Sequence, residues 1–339
     1  VDGFVETPVG PVPRVTTTLT ARDRFGTVRA RIGIARNNYK IIPGLYCVGV
    51  PKPESPVLVT ANYKLSFDAL RKELTGLSAW ILAVDTRGIN VWCAAGKGTF
   101  STEEIAFQVK AMHLAEIVSH RELILPQLAA AGVAAYELKK KCGFKGMFGP
   151  ILAAQISRFL HNGKQADETM RMVTFTLRER LVLVPVEIGL LWKFLIIALA
   201  AIFLLSGISP DVYSFAASWA RGSVAATATL LALLAGTIAT PILLPWVPGR
   251  QFWFKGMQVG ALTGLAAALL SSARSNIIGS IGLWVWTVVA ASYLAMNFTG
   301  ATPYTSLSGV EKEMRRGLPL QIGGAVLALI LWVAAPFVG

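Results

Sequence analysis

The strongest constraint on this fold is a set of long apolar windows in the second half of the chain. Residues 188–205, 223–247, 277–298 and 320–338 form four of them, and a fifth, residues 256–273, is rich in glycine and alanine and almost uncharged. A helix rises about 1.5 Å per residue and a bilayer core is about 30 Å thick, so each window is long enough to span it. Five transmembrane helices are therefore expected over residues 187–339. Charge divides at the same place: 24 of the 32 Lys+Arg and 16 of the 19 Asp+Glu precede residue 189. With only 15% charged residues and a mean hydropathy of +0.55, against about 25% charged in an average soluble domain, both a wholly soluble protein and a disordered one are excluded.

Residues 1–186 then form a separate domain. The first residues show no basic segment followed by an apolar one, so this domain is expected in the cytoplasm. The loops carrying Arg250, Lys255, Lys312, Arg315 and Arg316 would then lie inside and those carrying Arg221 and Arg274 outside, in accord with the positive-inside rule. Trp192, Trp246, Trp253 and Trp332 fall near span ends, and Lys193 lies about one turn inside the first span, within reach of the interface. Gly260, Gly264, Ala266 and Ala267 are small enough to let helices approach closely. Few ionisable groups fall inside the spans, which disfavours a transporter and favours an anchor or docking platform in the lipid of the cytoplasmic membrane.

A net charge of +13 invites a nucleic-acid reading. The basic residues are scattered without interleaved aromatics, and the one run, Lys139, Lys140 and Lys141, reads as the solvated end of a helix, so no nucleic-acid partner is expected. Three cysteines, Cys47, Cys93 and Cys142, with no C-x-x-C pair give neither a disulfide framework nor an iron-sulfur ligand set in this chain. Cys47 reads as a core residue in a strand and Cys142 as structural at a helix end.

In the first domain, tracts rich in β-branched residues alternate with amphipathic ones. Residues 15–20 and 27–34 read as a hairpin turning at Asp23–Gly26, residues 57–60, 80–85, 123–125 and 146–148 as short buried strands, and 66–74, 101–118, 133–141 and 151–160 as helices. Ser101 and Glu104 have the spacing of a capping box. The alternation predicts an α/β domain with a mostly parallel sheet, whose ligands bind at the carboxyl ends of strands.

The segment after Asp85 concentrates the chemistry. A P-loop would need glycine at Val91, and a dinucleotide fingerprint from Gly96 would need glycine at Ser101, so neither spacing is met. What remains is a short helix with Asn90 as N-cap and Gly96 or Gly98 as terminator. Cys93 falls in its first turn, where the helix dipole favours a thiolate, and Lys97 is four residues on along the same face. Trp92, Ala94 and Ala95 around one thiol make a flat apolar surface suited to a large planar cofactor, although a free cysteine is also often simply a small buried residue. His113 and His120, seven apart on one helix face, read as packing or surface residues, and His161 before Asn162 and Gly163 as a cap.

The eight residues Asn90, Val91, Trp92, Cys93, Ala94, Ala95, Gly96 and Lys97 resemble the cap-helix motif of the HgcA family, the membrane-anchored corrinoid proteins of mercury methylation. Residues 39–159 are also similar to the corrinoid domain of the corrinoid iron-sulfur protein large subunit. The resemblance implies a Rossmann-like corrinoid-binding domain followed by an all-α transmembrane domain of five helices. It implies a base-off cobalamin-type corrinoid whose cobalt takes Cys93 as lower axial ligand, with the eight-residue segment covering its lower face. No D-x-H-x-x-G sequence supports histidine ligation.

Further contacts are expected from Thr60, Ala61 and Asn62 at a strand end, from Gly98 and Thr99 in the cap loop, from Gln127 after Pro126, and from Gly149 by close backbone approach. The activity implied is methyl transfer from a donor protein or small molecule to a Hg(II)-thiolate, giving methylmercury. Electrons would come from a ferredoxin-like partner of the HgcB type with two [4Fe-4S] clusters. The alternatives are a membrane-bound corrinoid methyl carrier of one-carbon metabolism with another acceptor, and a membrane sensor binding a nucleotide near residues 96–99.

Overall fold

The computed structural model describes residues 1–271 and 276–338. Arg274 and the last two residues of the 256–273 window lie outside the described residues. The chain falls into two compact units, Val1–Ala30 with Ile34–Val173, and Arg31–Gly33 with Thr174–Gly339.

The first unit is a mixed α/β domain around a seven-stranded sheet. Its strands are β1 (Gly3–Thr7), β2 (Gly10–Arg14), β3 (Gly44–Val48), β4 (Val57–Ala61), β5 (Ala79–Val84), β6 (Glu122–Leu125) and β7 (Lys145–Phe148), in the order β1-β2-β3-β5-β4-β6-β7. The four strands β5-β4-β6-β7 are parallel, and β3 joins the outer edge of β5 in antiparallel register. Every residue of β4 and β5 is buried, as expected of parallel strands covered on both faces.

Side chains alternate between two cores. Val57, Val59, Leu82 and Val84 pack with Phe100, Ile105 and Leu138 on one face; Leu58, Ile81 and Ala83 pack with Phe67, Leu70 and Phe159 on the other. The first face is covered by α3 (Val91–Gly96), α4 (Thr102–Ala111), α5 (Leu114–Ile117) and α6 (Ala135–Cys142), the second by α2 (Lys64–Arg71) and α7 (Ile156–His161); α1 (Ala21–Arg31) precedes them in the chain and α8 (Glu168–Arg171) follows. The chain leaves β4 for β5 on one side and returns to β6 on the other. That reversal places a topological switch point at the carboxyl end of β4, where doubly wound sheets bind ligands.

Two expectations fail here. The hairpin expected over residues 15–34 is instead a hairpin of β1 and β2, and residues 21–31 are helical, with Asp23–Gly26 inside α1. The cause is a reciprocal cap: the Thr20 amide donates to Asp23 Oδ2 at 3.0 Å, and the Asp23 amide donates to Thr20 Oγ1 at 3.2 Å. The helix expected over 101–118 breaks at His113, whose φ of 47° is left-handed, so His113 and His120 share no helix face. His120 instead bonds Ser55 O through Nε2 at 2.9 Å and accepts from the Glu122 amide at 3.2 Å. His161 ends α7 and donates from Nδ1 to Ser157 O at 2.7 Å.

Helix α1 is held to α2 by a closed set of ion pairs. Lys64 Nζ bridges Asp23 and Asp68 at 2.7 and 2.5 Å, and Arg71 bridges the same two carboxylates at 2.9 and 2.7 Å. Burial alone would raise the Asp23 pKa, but the hydrogen bonds from Lys64 and from the amide and hydroxyl of Thr20 outweigh it and hold the carboxyl well below the ordinary range. A carboxyl lowered by folding stabilises the native state above its unfolded pKa of about 3.9, and that contribution is lost as pH falls below it. Thermal unfolding of the full chain in micelles should therefore lose stability below about pH 4, and Asp23→Asn should flatten that acid limb while lowering the plateau above it. An unchanged acid limb in the variant would exclude this role.

The second unit is helical: α9 (Leu177–Leu181), α10 (Val184–Ser206), α11 (Phe215–Leu234), α12 (Thr240–Leu243), α13 (Phe252–Ser271), α14 (Ile277–Ala301) and α15 (Leu307–Ala334). Among the described residues, four helical stretches, Leu177–Ser206, Phe215–Leu243, Ile277–Ala301 and Ser308–Phe337, are long and apolar enough to cross a membrane. This is compatible with a membrane protein. The fifth expected window is the helix α13, which is not among those four. Arg221 is not in a loop but on α11, where its guanidinium donates to Ser206 O and Ile208 O at 3.1 Å each. Lys255 lies on α13, and Lys312, Arg315 and Arg316 on α15, which begins 13 residues before the window expected from residue 320.

Polar groups at the helix ends complement the helix dipoles. Glu313, buried, accepts from the Phe252 and Trp253 amides at 2.8 and 3.1 Å and so caps α13 from a neighbouring helix; Arg180 donates to Pro241 O and Ile242 O at the end of α12. Gly256, Gly260 and Gly264 bring α13 against α14. A Cβ at Gly260 would lie 2.8 Å from Ala291 Cβ and 3.0 Å from Thr287 O. Ala267 is buried in the bundle, whereas Ala266 faces out. Gly260→Leu should separate the two helices and cost about 1–3 kcal/mol, read as a lowered unfolding temperature in micelles; an unchanged temperature would show that the approach is dispensable.

Candidate functional site

The carboxyl edge of the parallel sheet is organised by one buried side chain. Asn62, next after β4, donates from Nδ2 to Asp85 Oδ1 at 3.0 Å, and its Oδ1 accepts from the amides of Thr86 and Gly88 at 3.1 Å each. The Thr86 hydroxyl lies 2.9 Å from the same oxygen and 2.7 Å from Ile89 O. The loop after β5 is thus bracketed to the strand beside it. Glu104 adds a second tie, accepting from the Asp85 amide at 2.9 Å. Ser101 does cap α4 through the Glu104 amide at 3.2 Å, but the Glu104 carboxylate reaches Asp85 and Gln108, so the expected reciprocal box is only half formed. Arg87 and Gly88 have φ of 57° and 74°, and this left-handed pair turns the chain into α3.

Helix α3 forms as its sequence indicates. Asn90 Oδ1 accepts from the Cys93 amide at 2.9 Å, Lys97 is the C-cap, and Gly98 has φ of 73°. Ala94 and Ala95 are buried, Val91, Trp92 and Cys93 are half-buried, and Gly96 and Lys97 are exposed. On its inner side α3 packs against the turn at Gln127–Ala129 that follows β6. The approach is close: a Cβ at Gly132 would lie 2.5 Å from Phe100 O and 2.8 Å from Ala95 O. Because β4 lies between β5 and β6, a helix leaving β5 and touching the turn after β6 crosses the carboxyl end of β4. Helix α3, which carries the half-buried Cys93, therefore lies across the switch point, capped at its start by Asn90 and packed near its end against Gly132.

The three cysteines differ in surroundings. Cys47 is fully buried in β3, and burial pushes its thiol up to about 11; burial also raises the Cys142 thiol, which donates to Leu138 O at 3.2 Å. Both are held as neutral thiols. Cys93 is the remaining candidate for a thiolate ligand.

The structure brings Asn62, Gln127 and residues 90–99 to this edge. Thr60 and Ala61 are buried in β4 itself, directly below it. Among the described residues Gln127 Oε1 is buried without a hydrogen-bond partner, and so is Gln155 Oε1, just beyond β7. Gly149 is buried with its amide on Leu125 O at 2.8 Å, and a Cβ there would meet Ile124 at 3.0 Å, so it serves close strand packing. The amides of Lys97, Gly98, Thr99 and Phe100 all donate to carbonyls of Cys93, Ala94 and Ala95. A phosphate cradle at residues 96–99 would need those donors free, which removes support from the nucleotide-sensor alternative. Asp85, Glu104, Gly132 and Gln155 were not expected from sequence; the first three join distant parts of the chain, and only the Ser101–Glu104 spacing gave a signal.

Residues 35–160 match the CO dehydrogenase/acetyl-CoA synthase delta subunit family. The matched segment holds every candidate residue named above and neither α1 nor the apolar helices. The gamma subunit of the acetyl-CoA decarbonylase/synthase complex of Archaeoglobus fulgidus is 30% identical over 127 residues, 37% of this chain and 27% of that protein. Subunit gamma 2 from Methanosarcina thermophila is 36% identical over 111 residues, 32% and 23% of the two chains, and the gamma subunit from Methanocaldococcus jannaschii is 32% identical over 129 residues, 38% and 26%. The chain spans about a quarter of the length of these curated relatives.

Proposed function

We propose that this protein is a corrinoid-dependent methyltransferase of the cytoplasmic membrane, with its α/β domain (residues 1–186) in the cytoplasm, that passes a methyl group to Hg(II) held by thiolates and forms methylmercury. Cys93 would hold the cobalt of a corrinoid through its thiolate, as the likeness of Asn90 to Lys97 to the HgcA cap-helix motif implies. The observation that carries this reading is the half-buried Cys93 thiol on a doubly fixed helix over the switch point, within the segment Asn90 to Lys97. The residues present fit such a group. Ala94 and Ala95 keep the helix flush, the orphaned Gln127 Oε1 awaits a donor of the kind that the amide groups around a corrin ring supply, and Gly98 and Thr99 would touch the group, while the buried Thr60, Ala61, Asn62 and Gly149 would support the edge beneath it.

When bound, the corrinoid supplies cobalt that accepts and releases a methyl group. The chain contributes position and donor strength. Asn62 and Asn90 fix the height of the thiol, the buried alanines exclude water beneath it, and Cys93 gives up its proton to act as a soft, strong donor. A soft donor suits delivery to a soft acceptor such as Hg(II). Reducing equivalents would come from an HgcB-type ferredoxin-like partner with two [4Fe-4S] clusters, and the methyl group from a separate donor.

The similarity of residues 35–160 to subunits of acetyl-CoA decarbonylase/synthase complexes favours a second reading, a membrane-bound corrinoid methyl carrier in one-carbon metabolism. Acceptor assays separate the two. With corrinoid, reductant and methyl donor supplied, methylmercury should form from Hg(II)-thiolate; methylation of thiol acceptors alone would replace the mercury reading by the carrier reading.

A further inference from the structure

Helix α1 has no role in the site and almost none in the core. Of its 11 residues only Ala30 is buried, yet the helix is held in place by the ion pairs of Asp23 with Lys64 and Arg71. At 100° per residue, Asp23, Gly26, Thr27 and Ala30 fall on one side, and these are its half-buried or buried positions. The opposite face is centred on Phe25 and Val28, which are 64% and 55% exposed. Arg24 flanks this pair on one side and Arg22 and Arg29 on the other, all exposed, with the Arg29 guanidinium 5.9 Å above the Phe25 ring. Between residues 21 and 40 the chain carries five arginines and Lys40 against the single carboxylate Asp23, which is already paired.

An apolar pair bordered by arginines, on a helix whose other face is fixed to its domain, can meet an anionic bilayer surface with the two apolar side chains entering the interface and the arginines at headgroup level. We propose that α1 docks by this face on the anionic headgroups of the bilayer, with Phe25 and Val28 entering the interface and Arg22, Arg24 and Arg29 pairing with lipid phosphates. Tethering favours lipid over an acidic protein. The same chain carries helices long and apolar enough to cross a bilayer, so the surface is present at high effective concentration. The inference rests on the membrane location proposed above, but on none of the corrinoid chemistry. Each arginine at an anionic surface favours contact by about fivefold, so three together favour it by on the order of 100-fold at low salt.

The test is hydrogen exchange of the full chain in nanodiscs of phosphatidylcholine, with and without phosphatidylglycerol. Incorporation into discs reads the membrane location by itself; failure to incorporate overturns both that location and this contact. In incorporated protein, amides of residues 21–31 should exchange about tenfold or more slowly when phosphatidylglycerol is present. The difference should vanish at high salt, in the combined variant Arg22→Gln, Arg24→Gln, Arg29→Gln, and in Phe25→Ser with Val28→Ser. Exchange of the β5 amides reads whether each variant keeps its fold. Equal exchange in the two lipids overturns the proposal. So does slowing by polyglutamate without any slowing by phosphatidylglycerol, which would assign the face to an acidic protein.

Discussion

Replacing Cys93 by alanine is expected to lower methyl transfer to Hg(II) by more than about 100-fold, beyond the 10–100-fold range for loss of a supporting group around a metal, while leaving the domain folded. The geometry isolates the thiol. The bond that starts α3 runs from the Cys93 backbone amide to Asn90 Oδ1, so it survives the substitution, and alanine is the better helix former. The neighbours Ala94 and Ala95, not Cys93, make the buried contact. Cys93→His keeps a metal ligand of different donor strength and should retain more activity than the alanine variant if ligation is what matters. Near-normal transfer by Cys93→Ala, measured as methylmercury formed with reductant and methyl donor in excess, would remove the axial-ligand role.

Asn62→Ala should be the most damaging substitution at the site that leaves Cys93 itself intact. The carboxamide is buried and serves both directions, donating to Asp85 and accepting from the Thr86 and Gly88 amides. Alanine leaves those two amides without an acceptor, at a cost of about 2–5 kcal/mol. It also frees the left-handed turn at Arg87 and Gly88 that aims α3. We expect a lower unfolding temperature for the full chain in micelles and weaker corrinoid binding together. Asn62→Asp keeps the accepting oxygen but replaces the donor with a second oxygen 3.0 Å from Asp85, so it should rescue little. A variant that binds corrinoid as tightly as wild type would show that the bracket is not what positions the cap helix.

Much of this architecture is written in local pattern. The apolar run of β4, broken only by Thr60, the wholly apolar β5, the asparagine cap at Asn90, the stop at Gly98 and the solvated lysine run ending α6 all follow from residue types at short range. What escaped is of two kinds. At α1, threonines, Val28 and Ile32 favour a strand, and a reciprocal Thr20–Asp23 cap with paired carboxylates overrides them; the T-x-x-D spacing was the available signal. In β2, Pro11 and Pro13 argue against a strand, and the structure tolerates them because β2 meets β3 only at Arg14 and Cys47.

The second kind is long-range. Glu104 reaching Asp85, Gly132 admitting the Ala95 backbone and Gln127 left with an orphaned oxygen depend on crossovers that no local window contains. Likewise the apolar windows mark helices but not their ends: Glu313 caps α13 from a neighbouring helix, and α15 starts at its own Ser306 cap, well before its apolar stretch.

The proposed function stands or falls with ligation of a corrinoid's cobalt by Cys93. The most direct measurement is the anaerobic ultraviolet-visible and electron paramagnetic resonance spectrum of the full chain loaded with cobalamin, wild type beside Cys93→Ala. Bound corrinoid in the base-off form is expected, with bands and cobalt hyperfine pattern that change when the thiol is lost. Spectra identical in the two proteins, or no corrinoid bound at all, would contradict that ligation.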